Sequence, residues 1–201
     1  MKILNPAVAA DIAAGRLLTL DLGCGMRPRP GHYGMDHLDL PGVDISGSLE
    51  EPLTALPDNS VGAVTTRHTM EHIVRFIPLL QEIHRVVVPG GTVHVETPHF
   101  SNPYGFSDPT HVRFFGLYTF HYFSDAVDQP RKPVPNFYIK ERFVIQSIRV
   151  SLVPTLIMNK LMRRITTKVL NWSFRLQDYY ERAVCRHFPI SSIKYTLTVK
   201  K

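Results

Sequence analysis

The residues best suited to hold a polar ligand follow two short apolar segments. Residues 17–22 form an apolar run that ends in Gly23-Cys24-Gly25, the pattern of a buried parallel strand entering a glycine turn. Such a turn lets backbone N–H groups approach an anion closely. Asp36 ends the next strand candidate, where its carboxylate can accept hydrogen bonds from the two hydroxyls of a ribose. A tight turn without a ligand and a solvated acid are the alternatives.

An alternating series of strand and helix signals must position these groups. Apolar residues at three-and-four spacing predict a helix over residues 70–87, which Pro89-Gly90-Gly91 ends. Later patterns predict a strand over residues 142–151, helical structure over 155–187 and a period-two strand over 193–200. The earlier strand candidates are residues 17–22, 33–38, 42–45, 61–66 and 92–97. Together they predict an open α/β sheet with helices on both faces.

Length and composition narrow the class of protein. The chain has 201 residues, of which 44% are hydrophobic and 20% charged, as expected for one globular domain over residues 1–201. Two cysteines, Cys24 and Cys185, cannot form a disulfide framework, and the first residues make a poor signal peptide. We therefore expect a cytoplasmic protein. No apolar run reaches the roughly 20 residues of a membrane-spanning helix.

Charge is distributed unevenly along the chain. Residues 1–129 contain 8 Lys and Arg against 14 Asp and Glu, whereas residues 130–201 contain 15 against 3. Residues 152–192 combine these basic side chains with regularly spaced apolar ones, which predicts a basic amphipathic helical insert. Three roles remain open for it: a lid packed on the core, a homodimer surface, or a peripheral contact with an anionic membrane surface at the inner face.

Five ordered motifs over residues 17–125 resemble the class I S-adenosylmethionine-dependent methyltransferases, and more narrowly the small methyltransferase type 11 domains with glycan-associated members. The motifs are Asp21-Leu22-Gly23-Cys24-Gly25, Gly34-Met35-Asp36, residues 49–60, Met70-Glu71-His72, and residues 82–91. The resemblance implies a Rossmann-like seven-stranded methyltransferase sheet with an antiparallel last strand at residues 193–201. It implies S-adenosyl-L-methionine as the cofactor, with residues 17–125 as the cofactor-binding core.

The resemblance also implies which residues contact the cofactor. Gly23 and Gly25 would flank its methionine part, Asp36 would hold the ribose, and Ser48 and Leu49 would face the adenine. Asp21, Cys24, Arg27 and Arg67 complete the expected cofactor-binding set.

Two departures from the family pattern bear on the cofactor. Arg27 stands where a third glycine is usual, and only residues 26–33 separate Gly25 from Gly34, too few for a crossover helix. We therefore expect the first helix to be shortened or absent, with Arg27 or Arg29 meeting the carboxylate of the cofactor in its place. Solvated arginines are the alternative. Ser48 stands where the family often has an Asp, and this difference weakens the side-chain contact to the amino group of adenine.

The loop after residue 97 supplies candidates for the acceptor side of the reaction. Transfer to a hydroxyl requires removal of a proton near neutral pH, for which histidine is suited. His111 and then His99 are the candidate bases, Asp108 would orient one of them, and Tyr104, Arg113 and His72 would hold the substrate. A metal site is a weaker alternative for four histidines, because no two of them have a carboxylate or thiolate partner at a convincing spacing; the four are His68, His72, His99 and His111. No metal site is therefore predicted.

By resemblance, the acceptor is a sugar hydroxyl of a glycan or glycolipid intermediate in polysaccharide biosynthesis. A small metabolite or a lipid is the alternative acceptor, and a non-catalytic binding module with a degenerate site is the alternative outside enzymes. A nucleic acid partner is disfavoured, because neither a base-methylation motif nor an RNA-binding module is present in the sequence.

Overall fold

A mixed eight-stranded sheet forms the centre of the computed structural model, which describes residues 1–154 and 159–201. The strand order is β1-β4-β3-β2-β5-β6-β8-β7. Neighbours from β4 to β6 pair in parallel, and β8 pairs antiparallel with both β6 and β7. The strands are β1 (Lys2–Ile3), β2 (Leu18–Leu22), β3 (Tyr33–Asp36), β4 (Ile45–Ser46), β5 (Val61–Arg67), β6 (Val87–Pro98), β7 (Arg142–Leu152) and β8 (Ile190–Lys200).

This order confirms the predicted fold class. Strands β2 to β8 form the seven-stranded methyltransferase order with an antiparallel last strand, and the two-residue β1 adds an edge that the sequence analysis did not predict. Helix α1 (Pro6–Ala13) is also additional. From β2 the chain moves through β3 and β4 toward one edge, and β5 then starts on the other side of β2. Ligands bind at such a reversal, outside the carboxyl ends of the strands.

The connection from β2 to β3 has no helix, as predicted. Gly23 and Cys24 donate their backbone N–H groups to Met35 O at 2.8 and 3.2 Å, which folds the chain directly back onto β3. Arg29 N donates to Asp21 Oδ2 at 2.9 Å and fastens the rest of the loop to the end of β2. Hydrogen bonds to the loop backbone thus take the place of a helix between these two parallel strands.

The predicted helix over residues 70–87 is shorter in the structure. Met70–His72 is a single 3-10 turn, and helix α2 spans Phe76–Val86. The Glu50 carboxylate accepts the backbone N–H groups of Val74 and Arg75, each at 2.7 Å, and so satisfies donors at the start of α2. The interruption leaves residues 68–75 as an irregular segment at the carboxyl end of β5.

The insert contains two helices, α3 (Lys160–Leu170) and α4 (Phe174–Ala183). The predicted helix start at residues 155–158 lies outside the described residues. Asn171 follows α3 and makes two 2.8 Å hydrogen bonds to the backbone of Val150, which attaches the helix to edge strand β7. Because β7 and β6 are both antiparallel to β8, the insert leaves the sheet at the edge where β6 ends.

Within the described residues, none of the helices has both the length and the apolar character needed to cross a bilayer.

Candidate functional site

A cavity of about 610 Å³ opens at the carboxyl ends of β2, β3 and β5. This cavity brings together the glycine turn after β2 and Asp36 at the end of β3, the two groups that the sequence analysis assigned to one cofactor pocket. The lining residues are Gly23, Asp36, His37, Ser48, Leu49, Glu50, His68, Thr69, His72, Ile73 and Thr110. We call it the nucleoside cavity.

The glycine turn approaches the opposite wall of this cavity closely. Gly23 has φ +68°, and a Cβ at this position would overlap Thr69 Oγ1 and Cγ2 and lie 2.8 Å from Thr69 Cβ. Gly25 has φ +57° with nothing within 4 Å of an added Cβ. Gly23 is therefore required both by its backbone conformation and by contact with the β5 side, whereas Gly25 is required by conformation alone.

The Asp36 carboxylate is held in a fixed position beside the turn. Its Oδ2 accepts the Gly25 N–H at 2.9 Å, and its Oδ1 accepts the Leu38 N–H at 3.1 Å. The residue is 7% exposed, yet it lines the nucleoside cavity. Oδ2 keeps a second lone pair free, whereas Oδ1 also lies 3.0 Å from Nδ1 of the exposed His37, a contact that must be given up for both oxygens to accept hydrogen bonds from vicinal hydroxyls. Leu49 supplies an apolar surface in the same cavity.

A smaller basic cavity of about 320 Å³ adjoins the turn and shares Gly23 with the nucleoside cavity. Its wall includes Arg27, Arg29 and Arg67, none of which forms an ion pair with another side chain of the described segments 1–154 and 159–201. Three exposed guanidinium groups around one hollow favour an anionic ligand. The remaining lining residues are Asp21, Cys24, Pro28 and Pro30.

Cys24 is a neutral member of this basic cavity. Burial, together with the nearby carboxylates of Asp36 and Asp21, raises the pKa of its thiol to about 11. A thiol with this pKa stays protonated at neutral pH and is a poor nucleophile. The residue therefore contributes shape rather than covalent chemistry.

The other end of the nucleoside cavity is polar. The Thr110 hydroxyl lies 2.9 Å from His72 Nδ1 and 2.6 Å from Asp108 Oδ1. Because a carboxylate only accepts, the hydroxyl donates to Asp108, and His72 must donate its Nδ1–H to Thr110. This leaves the Nε2 lone pair of neutral His72 free. The hydrogen bonds from Thr110 also lower the pKa of Asp108, so this carboxylate is ionised at neutral pH.

Glu71 lies buried beneath the polar end. Its backbone carbonyl accepts the N–H groups of Val112 and Arg113 at 2.9 and 3.2 Å, which docks the loop of residues 107–115 against the 3-10 turn. His68 Nδ1 is 3.4 Å from Glu71 Oε1, and this contact raises the pKa of His68. His68 also has φ +54°, an uncommon backbone conformation for a residue with a side chain.

His111, the first candidate base, lies behind His72 rather than on the cavity wall. Its Nδ1 is 2.8 Å from Gly105 O, and its ring packs edge-on against the ring of His72 with centroids 4.8 Å apart. Asp108 Oδ2 is 3.7 Å from His111 Nε2, so the predicted Asp108–His111 proximity exists. The histidine that lines the cavity here is His72 and not His111.

His99 is not placed to act as a base, contrary to the prediction. Its side chain is fully buried, with Nε2 2.9 Å from Glu181 Oε2 and Nδ1 2.8 Å from Ser101 Oγ. Glu181 Oε2 also accepts the Leu117 N–H at 2.8 Å. His99 therefore joins β6 to α4, and both ring nitrogens are already used.

The structure places two other substrate candidates, Arg113 and Tyr104, outside the lining of the nucleoside cavity. Arg113 donates to the backbone carbonyls of Ile73 and Val74 and lies over the ring of Phe76, 5.3 Å from its centroid, so its guanidinium holds the segment before α2. Tyr104 is 73% exposed and does not line the nucleoside cavity. The remaining substrate candidate, His72, does line it.

The sequence analysis missed four residues of the polar end: His68, Thr69, Glu71 and Thr110. The spacing His68, Glu71, His72 is visible in the sequence, but an acid at this place is also typical of a helix start, where it interacts favourably with the helix dipole. Thr110 gave no signal of its own, because its role depends on the docking of its loop onto the 3-10 turn.

Comparison with known proteins agrees with the sheet order of the fold. Residues 34–95 match the family model described as a methyltransferase domain. No curated protein matches the chain.

Three similar solved structures share the fold at low sequence identity. A SAM-dependent methyltransferase from Archaeoglobus fulgidus has 16% identity and a TM-score of 0.50, covering 96% of this chain and 93% of its own. The YcgJ protein from Bacillus subtilis has 14% identity and a TM-score of 0.53, covering 98% of both chains. The [4+2]-cyclase SpnF has 16% identity and a TM-score of 0.54, covering 97% of this chain and 79% of its own.

The residues present fit S-adenosylmethionine. The glycine at position 23 leaves a cradle that a Cβ would fill, Asp36 offers a fixed carboxylate for ribose hydroxyls, and the basic cavity suits a carboxylate. The chain thus has the sheet order of the class I S-adenosylmethionine-dependent methyltransferases, and its residues 34–95 match the methyltransferase-domain model.

Proposed function

We propose that this enzyme methylates a hydroxyl group of a sugar, in a glycan or glycolipid intermediate of polysaccharide biosynthesis. The observation that carries the proposal is the polarity of the nucleoside cavity beyond Gly23, where His68, His72 and Thr110 line one end. Imidazole and hydroxyl groups can both donate to and accept from the hydroxyls of a sugar. A purely apolar acceptor would leave these groups without partners.

Different residues of the chain would bind different parts of the cofactor. When bound, S-adenosylmethionine supplies a methyl group on a sulfonium centre for in-line displacement. Gly23 and Gly25 would flank its methionine part, Asp36 would accept hydrogen bonds from its ribose, and Ser48 and Leu49 would face its adenine. Arg27, Arg29 or Arg67 would pair with its carboxylate.

The polar end would position the acceptor. His72 is fixed by the Thr110–Asp108 pair on the wall of the nucleoside cavity, beside the place that an acceptor hydroxyl would occupy. Alignment of the acceptor is the main contribution that a protein makes to this kind of displacement. His111 and Asp108 support His72 from behind, so they act as positioning residues in this proposal.

A lipid-linked acceptor is supported by the outer face of α3. Exposed apolar side chains lie beside basic ones on this helix, and its sequence contains no acidic residue. The apolar set is Leu161, Met162, Ile165 and Val169, followed by Trp172, and the basic set is Lys160, Arg163, Arg164 and Lys168. Such a face suits the interface of an anionic membrane, where each basic residue contributes about 1 kcal/mol.

Trp172 allows a direct test of membrane contact, because it is the single tryptophan of the chain and is 84% exposed. We expect its emission to shift to the blue with phosphatidylglycerol vesicles at low salt, and not with phosphatidylcholine vesicles. Ile165→Asp should abolish the shift, whereas Phe137→Ser, at an exposed aromatic outside the insert, should preserve it. No shift with anionic vesicles, or a shift that follows self-association in sedimentation, would contradict the membrane role and favour a dimer surface.

The acceptor class is tested by methyl transfer from isotopically labelled cofactor. We expect label in the glycan and glycolipid fraction of a cell extract, at an oxygen by mass spectrometry, and none with Asp36→Asn. Asp39→Asn, at an exposed acid nearby, is the matched control and should keep activity. Label confined to small metabolites or to non-glycosylated lipids would contradict the proposed acceptor and leave the methyltransferase assignment intact.

A further inference from the structure

We propose that Glu71, His72 and His111 bind one divalent transition-metal ion beside the acceptor end of the nucleoside cavity. One potential ligand atom from each residue lies within 4.8 Å of the other two. Two imidazoles and one carboxylate form a donor set that zinc and ferrous iron both accept, with coordination positions left open. The site itself stands on this cluster, while its catalytic role rests on the proposed function.

The carboxylate of Glu71 is the first argument. The residue is 1% exposed, and neither side-chain oxygen has a hydrogen-bond partner among residues 1–154 and 159–201. His68 Nδ1 lies 3.4 Å from Oε1, and no ion-pair partner of Oε2 is found among the same residues. A buried carboxylate is normally hydrogen-bonded, paired with a cation or coordinated to a metal. One long contact to His68 leaves Glu71 incompletely paired, and a cation within the cluster would complete its contacts.

The hydrogen bonds of the two histidines are the second argument. His72 donates its Nδ1–H to Thr110, as the chain of donors to Asp108 requires. His111 Nδ1 lies 2.8 Å from Gly105 O, and because a carbonyl can only accept, His111 also carries its proton on Nδ1. Both neutral rings therefore keep a lone pair on Nε2. Metal-ligating histidines donate their other ring N–H to an oxygen in this way, which fixes the ring and the tautomer.

Asp108 lies next to the same cluster. Its Oδ2 is 3.7 Å from His111 Nε2, too far for a hydrogen bond, so a cation bound by His111 would lie close to this carboxylate as well. The sequence did not reveal the cluster, because His111 joins Glu71 and His72 only through the docking of Val112 and Arg113 on the Glu71 carbonyl.

The position of the cluster suggests what a metal would do. His72 belongs both to the cluster and to the wall of the nucleoside cavity. A divalent ion lowers the pKa of an oxygen ligand, so an acceptor hydroxyl bound to it would lose its proton to bulk water near neutral pH. Metal binding would thus explain how the acceptor hydroxyl loses its proton, although His99 is buried and bound to Glu181.

Zinc is the probe for the experiment, with the full chain carrying no histidine tag and stripped by a chelator. Calorimetry and elemental analysis should show one zinc ion per chain. Glu71→Gln and His111→Ala should each weaken zinc binding at least about 100-fold, because each removes one of three ligands. Thr110→Val, which removes the hydrogen bonds of the Thr110 hydroxyl to His72 and Asp108 and no metal ligand, should weaken it about 10- to 100-fold. His187→Ala removes an exposed histidine outside the cluster and should change nothing.

Two results would overturn the metal site. One is no zinc binding by the wild-type chain, which would mean that protons alone balance the cluster. The other is binding that Glu71→Gln, His111→Ala and Thr110→Val leave unchanged. If Glu71→Gln does not fold, the other two variants decide, since Thr110 is exposed. Binding of S-adenosylhomocysteine to the metal-free chain is measured in parallel, so that failure of the metal site is distinguished from failure of the proposed function.

Discussion

Substituting the two glycines of the turn separates backbone strain from steric contact. Both Gly23 and Gly25 have positive φ, at +68° and +57°, so alanine at either position costs about 1–2 kcal/mol for the left-handed backbone. Only at Gly23 does the added Cβ meet Thr69, and such overpacking costs about a further 1–3 kcal/mol. We therefore expect Gly23→Ala to destabilise the protein by about 2–5 kcal/mol and Gly25→Ala by about 1–2 kcal/mol.

Urea unfolding of the three single variants and of two double variants measures these contributions to stability. Thr69→Ala removes Oγ1 and Cγ2, two of the three atoms that a Cβ at position 23 would meet, while the third, Thr69 Cβ, remains. The double variant Gly23→Ala/Thr69→Ala should therefore be more stable than the sum of the single effects predicts, by about 1–2 kcal/mol. Thr69→Ala paired with Gly25→Ala is the control and should be additive. Equal effects of the two glycine substitutions, or additivity of both pairs, would refute the described contact between the turn and the β5 side.

Three further predictions concern charged groups. Arg27→Ala should weaken S-adenosylhomocysteine binding about tenfold, with the loss of a charged hydrogen bond, and leave adenosine binding unchanged, because adenosine has no carboxylate; equal losses for both ligands in calorimetry would contradict this. Hydrogen bonding from Arg85 lowers the pKa of Glu82 below 4.5 in the folded protein, so this pair stabilises the fold above that pH and loses its effect as the pH falls through the folded-state pKa. Glu82→Gln should therefore cost about 1 kcal/mol in denaturant unfolding at pH 7 and less at pH 3, and a cost that does not vary with pH would argue against the pair. Glu181→Ala removes the hydrogen-bond partner of buried His99 and should destabilise the protein by about 1–3 kcal/mol without changing cofactor affinity; a large affinity loss would show that His99 serves the site after all.

The cofactor end could be predicted from the sequence because its determinants are local. Gly23 follows an apolar run directly, and Asp36 ends the next strand, so a parallel sheet must bring them to the same edge. The absence of a helix between β2 and β3 could also be predicted, because the eight residues 26–33 are too few to form a crossover helix. These predictions required only the pairing of adjacent strands.

The acceptor end could not be predicted because it depends on contacts between distant segments. His99, His111, Tyr104 and Arg113 lie in one loop and looked equivalent in the sequence. In the structure His99 turns toward α4, and Arg113 binds the carbonyls before α2. The docking of this loop on Glu71 brings Thr110 to the cavity and leaves His111 behind His72, and no periodicity indicated the importance of this buried acid.

The most direct test of the central claim is a calorimetric titration with S-adenosylhomocysteine of the wild-type chain, Asp36→Asn and the control Asp39→Asn. Two hydrogen bonds to a charged acceptor contribute about 1.5–3 kcal/mol each, and the amide retains part of that, so Asp36→Asn should weaken binding at least about 30-fold. The wild-type chain and Asp39→Asn should bind one ligand per chain with equal affinity. Absence of binding by the wild-type chain, or equal binding by all three proteins, would contradict the assignment of the cavity between Gly23 and Asp36 as the nucleoside site.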